Sequence, residues 1–75
     1  MNAGPQPLDA LLVRHALANH DLVENSGEHL THKVVQKARK GRRLTRNAQQ
    51  KILRAMNRAA TAAYHVEELF NYRGR

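Results

Sequence analysis

Between Leu30 and Asn57 the chain reads LTHKVVQKARKGRRLTRNAQQKILRAMN, with nine lysines and arginines and no acid. No other stretch limits the fold as strongly. Like charges packed this densely are tolerated only at the surface, so the residues between them must supply the inward side. Their spacing does so. At about 100° per residue around a helix axis, with Lys33 at zero, Gln36, Lys37 and Lys40 fall within about 60° of it. Val34, Val35 and Ala38 occupy the opposite arc, from about 100° to 200°, and His32 and Arg39 take one flank between the faces. A disordered basic tail shows no such separation. The pattern predicts a helix over residues 32–40, capped by Thr31 and closed by Gly41.

The rest of the chain reads as helices of the same modest size. Arg42, Arg43 and Leu44 form a connector, and Thr45 caps a further helix with Leu44 as its staple residue. Ala48, Ile52, Ala55, Met56 and Ala59 make the inward stripe of that helix, which runs to about Ala60. Upstream, Pro7 suits a first helical turn, and Leu8, Leu11, Leu12 and Ala16 predict a helix to about Ala18, interrupted by Asn19 and His20. Asp21 to Asn25 makes a second short helix, stopped at Ser26-Gly27. Tyr64, Val66, Leu69 and Phe70 keep helical spacing, either as last turns of the long helix or as a separate short one. The expectation is one all-α domain over 8–72, a compact bundle of four or five helices. Residues 1–7 read as a flexible tail and 73–75 as a frayed end, with Asn71 onward already loose.

Composition narrows the chemistry. A chain of 75 residues buries only about 60% of its unfolded surface, so its core is thin. Cysteine is absent, which excludes disulfide staples and thiolate metal sites. No apolar run approaches the ~20 residues that span a bilayer, and the start of the chain lacks the pattern of a signal peptide. These features predict a soluble, cytoplasmic protein without a membrane partner. The net charge is +7, and all six acids lie outside the basic stretch, at Asp9, Asp21, Glu24, Glu28, Glu67 and Glu68. Ten of the thirteen lysines and arginines fall between Lys33 and Arg58. Such asymmetry points to a polyanionic partner without choosing among DNA, RNA, an acidic membrane and an acidic protein.

Two features of the 32–40 helix favour a nucleic acid. A face that only confers solubility mixes both signs of charge, and this one has no acid. Gln36 among Lys33, Lys37 and Lys40 suits base-edge reading beside phosphate contacts, since glutamine bonds an adenine edge bidentately and lysine donates to guanine or phosphate.

The order of elements carries a resemblance. Leu22-Val23-Glu24-Asn25-Ser26-Gly27 looks like the first helix and turn of a helix-turn-helix. Leu30-Thr31-His32-Lys33-Val34-Val35-Gln36-Lys37-Ala38 resembles its recognition helix. In the lactose-repressor family that helix opens with Ser or Thr and is followed by a Gly- or Asn-rich turn. A Val or Leu and then a Ser or Thr step into a further amphipathic helix. Lys40-Gly41-Arg42-Arg43-Leu44-Thr45, followed by the segment from Arg46 to Met56, matches that order. Phage repressor and Cro-like domains are similar more distantly. The resemblance covers Asp21 to Asn57, with the motif itself at about 21–41. It departs from the family at Glu28 and His29, which lengthen the turn by about two residues beyond the usual tight one.

What the resemblance implies is a small sequence-specific regulator of transcription, repressor-like and nucleoid-associated, that binds double-stranded DNA with helix 32–40 in the major groove. Thr31, His32, Lys33, Gln36 and Lys37 match the positions facing base edges and nearby phosphates. Lys40, Arg42, Arg43 and Arg46 match the rim on the backbone, and Thr45 adds a helix N-terminus for a phosphate.

Other residues read more plainly. His29 and His32 share a metal-like spacing but lack a third ligand nearby, so no metal and no cofactor is expected. No nucleophilic triad, Gly-rich phosphate loop or paired carboxylate stands out, so a catalytic role is not expected. Tyr64, Leu69, Phe70 and Tyr72 hold the aromatic mass of the chain's end. They either pack back on the first helix or form a homodimer interface for paired half-sites. Two other functions stay open, an RNA- or ribosome-associated basic protein and a helical adaptor for an acidic protein. The first lacks stacking aromatics in its basic zone.

Overall fold

A computed structural model of the chain describes residues 4–74. Among them are five helices and no strand: α1 Pro7–Arg14, α2 Asn19–Asn25, α3 His32–Lys40, α4 Arg46–Ala60 and α5 Val66–Leu69. The protein is therefore an all-α bundle, 29 × 24 × 20 Å along its principal axes. Helix α3 packs on α1 and α2, α4 on α2 and α5, and α5 returns to α1.

One core joins all five. Leu8 and Leu12 come from α1, Leu22 from α2, Val35 and Ala38 from α3, Ile52, Ala55 and Met56 from α4, and Leu69 from α5, with Leu30 and Phe70 from the adjoining loops. Burying the Leu, Val, Ile, Met and Phe side chains among these stabilises the fold by roughly 1.5–3 kcal/mol each. The inward stripe expected of α4 is present at Ile52, Ala55 and Met56, with Ala48 and Ala59 half-buried.

The caps of the two central helices follow local chemistry. Thr31 Oγ1 accepts from the Val34 N–H and Thr45 Oγ1 from the Ala48 N–H. Gly41 ends α3 at φ 91°, in the left-handed region, where its N–H and that of Arg42 return to Ala38 and Lys37. A β-carbon at Gly41 would also collide with the Gly4 carbonyl oxygen. Glycine is required there twice, for backbone sign and for space.

Four expectations are corrected. Helix α1 stops at Arg14 rather than near Ala18, because Ala16 turns left-handed at φ 56°. Asn19 and His20 do not interrupt a helix; they open α2, whose start is secured by the Ala18 N–H donating to Asp21 Oδ2. The presumed tail is ordered from Gly4: Gln6 is 3% exposed, bonds the Gly4 carbonyl with its Nε2 and accepts the Asn71 N–H at its Oε1. Residues 1–3 of that expected tail lie outside the described residues. The presumed frayed end is docked as far as Gly74, whose N–H donates to Gln49 Oε1; residue 75 lies outside the described residues.

The end of α4, left open by the sequence, falls at Ala60, where Thr61 turns left-handed and a separate α5 follows. Leu69 and Phe70 are 0% and 3% exposed. Both pack within the chain, which is the first of the two roles considered for the aromatic segment. Tyr64 and Tyr72 are half-buried and also bonded internally, Tyr64 to His15 Nε2 at 2.7 Å and Tyr72 to the connector before α4.

Candidate nucleic-acid interface

Burial of Val35 and Ala38 fixes the rotation of α3. With these two facing the core, His32, Lys33, Gln36 and Lys40 are exposed and Lys37 is half-buried. The connector carries the same surface onward, since Arg42, Arg43, Thr45 and Arg46 are all exposed. The structure thus exposes eight of the ten residues selected from the sequence and leaves Thr31 and Lys37 half-buried.

The connector is held from behind by the end of the chain. The Tyr72 hydroxyl accepts the Leu44 N–H at 2.9 Å and donates to the Arg42 carbonyl at 3.1 Å. Its ring lies under the Arg43 guanidinium, 5.5 Å from the centroid. Gln49, 2% exposed, bonds the Tyr72 carbonyl with one end of its amide and the Gly74 N–H with the other. Gly74 lies against the backbone of Arg46, so the end of the chain borders the start of α4.

Charge pairing divides the cations into two groups. Among the described residues, no carboxylate pairs with Lys33, Lys37, Lys40, Arg42, Arg43 or Arg46. Arg39 differs, because it turns away from this face and pairs with Asp9 of α1. On α4, Arg54 donates to both oxygens of Glu28 at 2.7 and 2.6 Å. Those hydrogen bonds hold the Glu28 carboxyl below its ordinary value of 4.5, with the charges of Arg54, Lys51 and Arg58 acting in the same direction. Arg58 donates to the Asn25 carbonyl, and a β-carbon at Gly27 would meet its guanidinium. Gly27 is not a left-handed helix stop, since the left-handed glycines among the described residues are Gly4 and Gly41. The long turn 26–31 is pinned to α4 by Glu28 and Arg58.

Sequence reasoning missed the residues behind the face. Asn19 Nδ2 donates to Gln36 Oε1 at 2.9 Å, and Arg39 Nη1 donates to Asn19 Oδ1 at 2.8 Å. His20 stacks on His32 with ring centroids 5.8 Å apart. Separations of 12 to 20 residues give such pairs no local signature. Among the described residues, no three His, Asp or Glu side chains gather closely enough to hold a metal ion, and no helix is long and apolar enough to cross a membrane. Comparison with protein-family models, curated proteins and solved structures found no match to the chain.

Proposed function

We propose that this protein binds double-stranded DNA as a sequence-specific regulator, with α2, the turn 26–31 and α3 acting as a helix-turn-helix. One observation carries the reading. The outward side of α3 and the connector after it form a run of exposed or half-buried cations that meet no carboxylate among the described residues, with the amide of Gln36 among them. Phosphates attract such a run from any direction, while only a base edge uses the directionality of an amide. In this reading α3 lies in the major groove, with His32, Lys33, Gln36 and Lys37 toward the bases. Thr31 can donate its hydroxyl hydrogen to a nearby oxygen while its Oγ1 caps α3. Lys40, Arg42, Arg43 and Arg46 meet phosphates at the rim, together with the Thr45 hydroxyl. A partner copy on a paired half-site would use a surface other than Leu69 and Phe70.

Binding of the purified protein to duplex DNA, duplex RNA and anionic vesicles at two salt concentrations tests the proposal. The expected result is duplex DNA binding that weakens steeply with salt and enriches one sequence on repeated selection. Equal affinity for random and selected duplexes contradicts sequence-specific regulation. Stronger binding to duplex RNA or to vesicles contradicts the DNA reading.

A further inference from the structure

Gln36 does not stand free on the face of α3. It is the outer end of a hydrogen-bonded chain that crosses three helices. Asp9 of α1 accepts from Arg39 Nε, Arg39 Nη1 donates to Asn19 Oδ1 at 2.8 Å, and Asn19 Nδ2 donates to Gln36 Oε1 at 2.9 Å. Arg39 has 21% of its side chain exposed, so the chain begins in a sheltered place and ends at the surface.

The direction of this chain is set by one property of arginine. A guanidinium carries N–H donors and no acceptor. The atom of Asn19 that faces Arg39 must therefore be its oxygen, which leaves its NH2 group facing Gln36. The atom of Gln36 that meets this NH2 must again be an oxygen. Turning either amide over would set donor against donor. An unsupported glutamine offers both its oxygen and its NH2 group, and so suits acceptor and donor edges alike. Here one lone pair of the oxygen is taken by Asn19, which fixes the order of oxygen and NH2 group on the face of α3 and leaves the second lone pair and the Nε2 hydrogens for a partner.

We infer that Asp9, Arg39 and Asn19 are positioning residues that fix the orientation of the Gln36 amide, and with it the base edge that Gln36 reads. This inference rests on the DNA-binding reading and refines it. In the major groove adenine presents an acceptor and a donor side by side, N7 and N6, which a glutamine meets with its NH2 group and its oxygen together. An amide held in one orientation makes that pair of bonds in one register only, so the position read by Gln36 is expected to favour adenine.

The variant Asn19→Asp separates this from a passive contact. Its carboxylate accepts from Arg39 on one oxygen and requires a donor at the other, so Gln36 turns over and the order of its oxygen and NH2 group on the face of α3 is reversed. An acid at the first position of α2 suits the helix start, so the variant is expected to fold; thermal melting followed by circular dichroism checks it. Selection from randomised duplexes with wild type and with Gln36→Ala identifies the base pair that Gln36 reads. Affinities are then measured for duplexes differing only at that pair, and the ratio is the readout, because the added negative charge weakens all duplexes alike. Wild type is expected to prefer adenine at that pair on the order of tenfold. Asn19→Asp is expected to reverse or abolish that ratio while preferences at the other positions persist. If Asn19→Asp keeps the wild-type preference at a pair where Gln36→Ala abolishes it, the positioning chain is refuted while the DNA reading stands. If wild type shows no duplex selectivity, both fall together.

Discussion

Two basic surfaces of this small protein have similar composition and opposite employment. On the outer side of α4, Arg54 is held by Glu28 and Arg58 by the Asn25 carbonyl, with Lys51 close enough to act on the same carboxylate. These cations work inside the molecule, pinning the turn that precedes α3. On α3 and the connector, Lys33, Lys37, Lys40, Arg42, Arg43 and Arg46 meet no carboxylate among the described residues. A net charge of +7 counts both groups equally. What distinguishes them is the internal partner: Glu28 for Arg54 and the Asn25 carbonyl for Arg58, with no carboxylate for the second group among the described residues.

That contrast can be broken most severely by reversing charge on the unpaired surface. Lys33→Glu combined with Arg43→Glu is expected to lower duplex DNA affinity on the order of 100-fold at moderate salt, with no comparable change in melting temperature. Fluorescence anisotropy with a labelled duplex measures it. An unchanged affinity would remove α3 and the connector from the interface.

Next in size is the junction on which the unpaired surface turns. Gly41→Ala forces a left-handed alanine and drives a methyl group into the Gly4 carbonyl. The backbone contribution alone is about 1–2 kcal/mol, to be read from the urea unfolding midpoint.

A single neutralisation sharpens the comparison further. Arg43→Ala is expected to weaken all duplexes by roughly tenfold and to flatten the dependence of log affinity on log salt by about 1. Arg54→Gln, on the paired surface, is expected to leave that slope where it was.

The smallest effect concerns acid stability. The Glu28 carboxyl titrates below 4.5 in the folded chain, so its contribution is present above the unfolded value and fades as pH falls through the folded one. The pair is exposed and its contribution is modest. Wild type is expected to melt slightly above Glu28→Gln at neutral pH, with the gap closing in strong acid.

How much of this was legible beforehand depended on the range of the interactions. The limits of α3 follow from Thr31, Gly41 and a clean separation of valines from lysines, all within one segment. The start of α4 is equally local, at Leu44 and Thr45. Asn19 was misread because polarity at 19–20 looked like a break, whereas the Asp21 carboxylate reaching back to Ala18 makes it a beginning. Gln6, Gln49 and Tyr72 could not be foreseen, since their partners lie 23 to 65 residues away. The same applies to the face itself. Its exposed side chains were recognisable from periodicity, but the amide of Asn19 behind Gln36 needed three helices to be placed together.

The hydrogen bond from the Asn71 N–H to Gln6 Oε1 joins two residues that lie near the two ends of the described chain. A polypeptide whose ends lie near each other is topologically close to a ring. A short flexible linker can then join them, and new termini can be opened at the exposed bend around Thr61 to Ala63 without crossing α3. The fold is in that sense portable, able to sit as an insert within a loop of another protein with its basic flank still turned outward.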